Sequence, residues 1–300
     1  MKPPPFEYHA PRSTAEALAL LGRYGADAKV LAGGQSLVPL LNFRLARPAA
    51  VVDINGIGGL DAIAEDGSMG EISLGARVRQ TDAERSTLVE RRCPLLAEAL
   101  RHVGHRTIRN RGTVGGSLAH ADPSAELPLV LRALDGRVRA ASERGERWVP
   151  ARDLFVSYLT TSLAPDELLL EARFPFIAEG TGWGFQEFSR RSGDFAIAAA
   201  CATVAVSGGS VARVAIAVAG GGPTPVRAEE AERLLVGPMP DAARITRVAQ
   251  AAAGACEVEA DMHASAEGRR ELIVTLTQRV LGSALGMAQH GRAMGAVGRG

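Results

Sequence analysis

The chain has 300 residues, with 34 Lys+Arg against 33 Asp+Glu and a formal net charge of +1. That balance supplies no global field, which excludes a protein steered electrostatically to nucleic acid or to an anionic membrane. Hydrophobic residues make up 46%, ample for burial, and the length calls for two or three subdomains.

The N-terminus, MKPPPFEYHAP, is too polar and proline-rich for a signal peptide. Phe6–Ala10 reads as a short strand, and Ser13 with Glu16 forms a capping box opening a helix that ends at Gly25. Strand Lys29–Leu31 then runs into Ala32-Gly33-Gly34-Gln35-Ser36-Leu37, followed by a helix over 37–45 and strand Val51–Ile54. A second unit starts near Gly59, with strands at 61–64 and 71–76 and helices from Thr81 and over 95–103. It continues through Thr113-Val114-Gly115-Gly116-Ser117, a helix over 125–134, and strands at 137–140 and 168–174. Pro175 is a boundary. The third unit holds strands from Phe185, a hairpin of 196–206 with 211–219, and helices at 227–235, 242–256 and 267–285. Beta-rich stretches followed by alpha-rich ones point to an α+β chain. No apolar run reaches membrane-spanning length.

The two glycine pairs are the chemically informative features. Glycine lacks a Cβ, so such a loop can aim backbone N–H groups at an anion. Two of them suit one large anionic ligand, gripped from two sides. The first is equally compatible with a bare strand-to-helix turn, and it is neither a Walker A loop nor a Rossmann fingerprint. The second is preceded by Arg106, Arg109 and Arg111, suited to phosphate, and followed by Asp122 and Glu126, suited to ribose or ribityl hydroxyls. It also reads as a solvated surface loop. His102, His105 and His120 fit no metal-ligand spacing, and no G-x-S-x-G elbow is present. Cys93, Cys201 and Cys256 are odd in number and far apart, which argues against disulfides, zinc or an iron–sulfur cluster and for a reducing cytoplasm.

Four motifs in order carry a resemblance: AGGQSL, RNRGTVGGSLAHADPSAELP, FSRRSGDFA and GGGPTPVRAEEAERLLVG. Over nearly the whole chain they resemble the FAD-binding medium subunit of molybdenum hydroxylases, the group of carbon monoxide dehydrogenase and xanthine dehydrogenase. The resemblance implies a vanillyl-alcohol-oxidase/PCMH-type fold. FAD-binding subdomains would span 1–57 and 58–176. A C-terminal α+β domain over 177–290, with a three-stranded antiparallel sheet, would precede a flexible tail over 291–300.

It further implies that Ala32, Gly33, Gly34, Gln35, Ser36 and Leu37 wrap the FAD pyrophosphate and ribityl chain together with Thr113, Val114, Gly115, Gly116 and Ser117. Glu126 falls at an FAD-contacting acid with Asp122 beside it, and Leu170 and Val103 fall near the flavin ring. Gln186 stands where some relatives carry a lysine near the flavin, and Phe188 stands near a flavin-shielding position. No residue is implied as catalytic. The implied role is electron transfer. FAD on this chain would accept electrons from 2Fe–2S clusters on a small subunit, while a large subunit carries the molybdenum cofactor, within a dimer of heterotrimers. A stand-alone flavin oxidoreductase and a non-redox nucleotide-binding assembly module are the competing expectations.

Overall fold

A computed structural model describes the backbone of residues 2–297 and the side chains of residues 2–289. The first unit is a small parallel sheet. Strands β1 (Glu7–His9), β2 (Ala28–Leu31) and β3 (Ala50–Asp53) pair in the order β1-β3-β2. Helix α1 (Thr14–Tyr24) follows β1, and α2 (Leu37–Asn42) follows β2. Ser13 caps α1 by accepting the Glu16 N–H at 3.2 Å, as the sequence suggests. The reciprocal half of the capping box lands one residue early, because Glu16 Oε2 accepts from the Arg12 N–H at 2.8 Å.

The second unit is a five-stranded antiparallel sheet backed by helices. Its strands are β4 (Ile63–Asp66), β5 (Glu71–Gly75), β6 (Arg137–Ser142), β7 (Gly145–Pro150) and, after two short pieces β8 (Phe155–Ser157) and β9 (Thr160–Thr161), β10 (Leu168–Pro175). The order β4-β5-β10-β6-β7 puts β10 at the centre, so the last strand closes the unit. Between β5 and β6 the chain runs through α3 (Gln80–Arg85), α4 (Thr87–Arg92), α5 (Pro94–His102), α6 (Arg106–Arg109), α7 (Val114–His120) and α8 (Glu126–Ala133). A one-turn helix, α9 (Ala151–Leu154), precedes β8.

The third unit pairs β11 (Gly182–Phe188), β12 (Ala198–Ser207) and β13 (Ser210–Ala219) antiparallel, as expected. Two two-residue strands, β14 (Val226–Arg227) and β15 (Gly237–Pro238), also pair with β13, so the sheet has five strands rather than three. Segments that short carry no period for a sequence to display. Helices α10 (Glu229–Leu235), α11 (Ala242–Gly254) and α12 (Ala266–Val297) cover one face. The expected tail at 291–300 meets α12, whose backbone continues to Val297; residues 298–300 lie outside the described residues.

Strand β12 shows why its sequence is a continuous apolar run. Ala198, Ala200, Ala202 and Val204 pack against α10–α12. Ala199 and Cys201 face the core built from Leu96, Leu100, Leu127 and Phe174. Alternate residues serve two cores, so both faces are apolar. A third cluster, with Ala17, Leu21, Val52, Ile54, Leu168 and Leu170, joins the first unit to the second.

Candidate functional site

A cavity of about 560 Å³ opens between the first and second units, and the edge of the third closes one end. Both glycine motifs line it, within the size range of cofactor sites. Their roles differ. The backbone N–H groups of Gly33, Gly34, Gln35 and Ser36 donate to no protein atom among the described residues. Gly34 sits at φ 73°, a conformation that glycine adopts without strain and that helps turn the run. The result is a strip of free donors between β2 and α2, the kind of concavity that holds an anion.

The second motif is not a loop. Thr113 is the N-cap of α7, and the glycines are that helix's first turn. Its N–H groups are already used: Val114 donates to the Val78 carbonyl at 2.9 Å, Gly115 to the Ala76 carbonyl at 3.1 Å, and Gly116 to Thr113 Oγ1 at 3.0 Å. Gly115 is there for close approach, since a Cβ would lie 2.6 Å from the Ala76 Cα. This motif therefore supplies a wall rather than free donors, and Ser117, His120, Asp122 and Glu126 are among the polar residues that line the cavity there.

Of the expected residues, Ala32 to Leu37, Val103, Thr113, Gly115, Gly116, Ser117, Asp122 and Glu126 all line the cavity. Val114, Leu170 and Gln186 are not among its lining residues. Val114 is fully buried in the core. Leu170 is 5% exposed and packs into the cluster between the first two units. A β-bulge between Leu169 and Glu171 breaks the alternation there, and Leu168 and Leu169 reach the cavity instead. Gln186 lies on the face of β11 opposite Phe185 and Glu187, because side chains alternate along a strand. Phe188 shares the face of Gln186. The aromatic that does line the mouth is Phe195, 66% exposed, with Leu159 beside it in the lining.

The arginines also resolve differently from the expectation. Arg109 pairs with Glu84 at 2.7 Å and donates to the Val103 and Gly104 carbonyls, so it braces the α5–α6 turn. Arg106 is absent from the cavity lining. Arg111 lines a second, shallower cavity of about 410 Å³ that shares Ala32 to Gln35 with the first.

Glu126 is the electrostatically unusual group. It is 6% exposed at the start of α8, and burial pushes its pKa up to about 8, aided by the nearby charge of Glu187. It is thus a neutral acid at pH 7, able to donate as well as accept. Glu187, on β11, has a side chain 7% exposed with an Oε2 lacking any hydrogen-bond partner. Its Oε1 lies 3.6 Å from His102 Nδ1, and this pairing raises the His102 pKa. Burial lowers the pKa of His120, which also lines the cavity.

Residues 4–177 match the family described as the FAD-binding domain in molybdopterin dehydrogenase, and residues 183–284 match the CO dehydrogenase flavoprotein C-terminal domain. The chain belongs to this family. It is an FAD-binding medium subunit of the molybdenum hydroxylases and a component of an oxidoreductase. It is 44% identical over 290 residues to the 6-hydroxypseudooxynicotine dehydrogenase complex subunit alpha of Paenarthrobacter nicotinovorans, covering 96% of this chain and 97% of that one. It is 37% identical to the carbon monoxide dehydrogenase medium chain of Hydrogenophaga pseudoflava, covering 95% and 98%.

Among solved structures, it superposes on carbon monoxide dehydrogenase from Hydrogenophaga pseudoflava with a TM-score of 0.93 at 38% identity, covering 96% of this chain and 99% of that one. Quinoline 2-oxidoreductase from Pseudomonas putida 86 matches with a TM-score of 0.91 at 37% identity, covering 96% and 100%. No described helix is long and apolar enough to cross a membrane. The residues present fit FAD. Free N–H groups at Gly33–Ser36 suit its diphosphate, the polar wall of Ser117, Asp122 and Glu126 suits its hydroxyls, and the apolar Val103, Leu168 and Leu169 suit its ring.

Proposed function

We propose that this medium subunit is the electron-transfer component of a cytoplasmic molybdenum hydroxylase complex. Its FAD would receive electrons from 2Fe–2S clusters on a small subunit and pass them to an external acceptor. A large subunit with the molybdenum cofactor would oxidise the substrate, the whole forming a dimer of heterotrimers. The observation that carries this reading is that both glycine motifs wall one and the same cavity, with free donors on one side and polar groups on the other.

When bound, FAD supplies the exchange between one-electron and two-electron chemistry, and the protein supplies position and electrostatics. Gly33–Ser36 would hold the diphosphate. Asp122 and Glu126 would bond hydroxyls, with Glu126 free to act as donor because it is neutral. Val103, Leu168 and Leu169 would exclude water from the ring. The substrate would be set by the large subunit; the relatives' names span carbon monoxide, nicotine-derived heterocycles, caffeine and quinoline.

The test is an absorption spectrum of the complex purified with its natural partners, before and after dithionite. Flavin bands that bleach over iron–sulfur absorbance support the reading. A preparation that is colourless and takes up no added FAD overturns it. A yellow protein that reduces an organic substrate without partners moves the chain to a self-contained flavoenzyme.

A further inference from the structure

The two glycine motifs come from different units, and a relay of two side chains, Arg79 and Asn55, links the backbone beside the second to the start of the first. Arg79 lies between β5 and α3, and its backbone forms an isolated antiparallel bridge with Thr113. Its guanidinium then forks. Nη1 donates to the Arg111 carbonyl, just ahead of the second motif. Nη2 donates to Asn55 Oδ1 at 2.8 Å. Asn55 carries the connection onward, donating through Nδ2 to the Ala32 carbonyl at 2.8 Å, at the start of the free-donor loop.

The far end of this chain is anchored as well. Asp53 Oδ1 accepts from the Asn55 N–H at 2.8 Å and from Asn55 Nδ2 at 2.7 Å, and Asp53 Oδ2 accepts from the Tyr8 hydroxyl at 2.5 Å. Asn55 therefore has little freedom to rotate away. Gly33 meets the Arg111 carbonyl so closely that a Cβ would collide with it. The loop and the second motif touch at the carbonyl that Arg79 holds.

We propose that Arg79, acting through Asn55, is the positioning residue that fixes the first glycine loop against the second motif and thereby sets the grip on the cofactor's diphosphate. The planar fork matters, because one ammonium cannot hold two acceptors on opposite sides with fixed geometry. The charge arrangement agrees. Burial disfavours the Arg79 charge, Arg111 and Arg77 add to this, and Asp82 and Asp53 partly offset it. An anion seated on the Gly33–Ser36 strip would add a compensating negative charge.

This inference rests on the FAD reading, so the experiment separates the two. The full-length subunit is stripped of flavin, and FAD, ADP and riboflavin are titrated into wild type, Arg79→Met, Arg79→Lys and Asn55→Ala. If wild type binds none of them, the FAD reading fails. If it binds, R79M and N55A are expected to weaken FAD and ADP about tenfold or more while leaving riboflavin within about twofold. The double variant should be no weaker than the worse single one, because both remove the same link. R79K should behave like R79M, since charge without the fork does not restore the link. Wild-type FAD and ADP affinity in R79M and N55A overturns the proposal, as does equal weakening of riboflavin. If R79M does not fold, N55A and R79K decide by the same criteria.

Discussion

His102 Nδ1 sits 3.6 Å from Glu187 Oε1, and this contact crosses from the second unit to the third beside the cofactor cavity. On the other edge of the ring, His102 Nε2 lies 3.6 Å from Glu98 Oε1, and the ring packs on Phe185 with centroids 4.9 Å apart. The groups facing this imidazole are thus Glu98 from its own helix and Glu187 from β11, with Glu126 of α8 coupled to Glu187. Because the folded pKa of His102 is raised, its contribution to stability is fully present below its unfolded value of about 6.5 and is lost as pH rises through the folded value. His102→Ala should therefore destabilise the subunit more at about pH 6 than at about pH 9. Urea melts at both pH values check this, and a pH-independent loss would refute it.

Glu126 has a raised pKa too, and its contribution to stability likewise falls as pH rises, here because the fold disfavours the ionised form. Its carboxyl is ionised in the unfolded chain above about 4.5 and neutral in the fold up to about 8, so folding must take up a proton across that window. The fold loses stability from this group as pH rises from about 4.5 to about 8. Glu126→Gln removes the proton requirement and should stabilise the flavin-free subunit at pH 7, by up to about 3 kcal/mol. The gain should vanish near pH 4.5, which a denaturant series against pH will show.

Gly115→Ala should cost roughly 1–3 kcal/mol of stability, because the new methyl presses on the Ala76 backbone. Gly33→Ala should instead empty the subunit of FAD, since it pushes the donor loop off the Arg111 carbonyl. Thermal melting and the flavin-to-protein absorbance ratio, measured on both variants, distinguish the two outcomes.

Phe195→Ala should leave stability within about 0.5 kcal/mol, because the ring is largely exposed. It should nevertheless open the cavity mouth. Quenching of bound-flavin fluorescence by iodide should rise in the variant, and an unchanged quenching constant would show that Phe195 does not cover the ring.

Cys93, Cys201 and Cys256 are buried, and burial raises each thiol, Cys93 to about 12 and Cys256 to about 11. None should react with an aromatic disulfide reagent in the native subunit, and all should react in denaturant.

The first glycine loop was legible because its job is local: strand, free N–H groups and helix follow one another within a few residues. The second was legible as a motif and misleading as a loop. Its N–H groups are spent on Val78 and Ala76, partners far away in sequence. The same limit hid the shift from Leu170 to Leu168 and Leu169, since a bulge leaves no trace in the run LLLEARFP. Strand β7 escaped notice because four of its residues in a row are exposed, which erases the two-residue period. Phe195 stands inside the FSRRSGDFA motif without being singled out there, and Arg79 and Asn55 carry no signal of their own. Their roles exist only once the topology brings three units together.

One packing detail reaches beyond the helix that makes it. Gly184 of β11 presses so closely on α12 that a Cβ would stand 2.6 Å from the Val280 carbonyl. The strand that carries Glu187 to His102 is therefore seated by α12. Without α12, β11 has a bare flank, and the junction between the second and third units loses its support. Loss of α12 would accordingly be felt at the Glu187–His102 contact, far from that helix in the sequence.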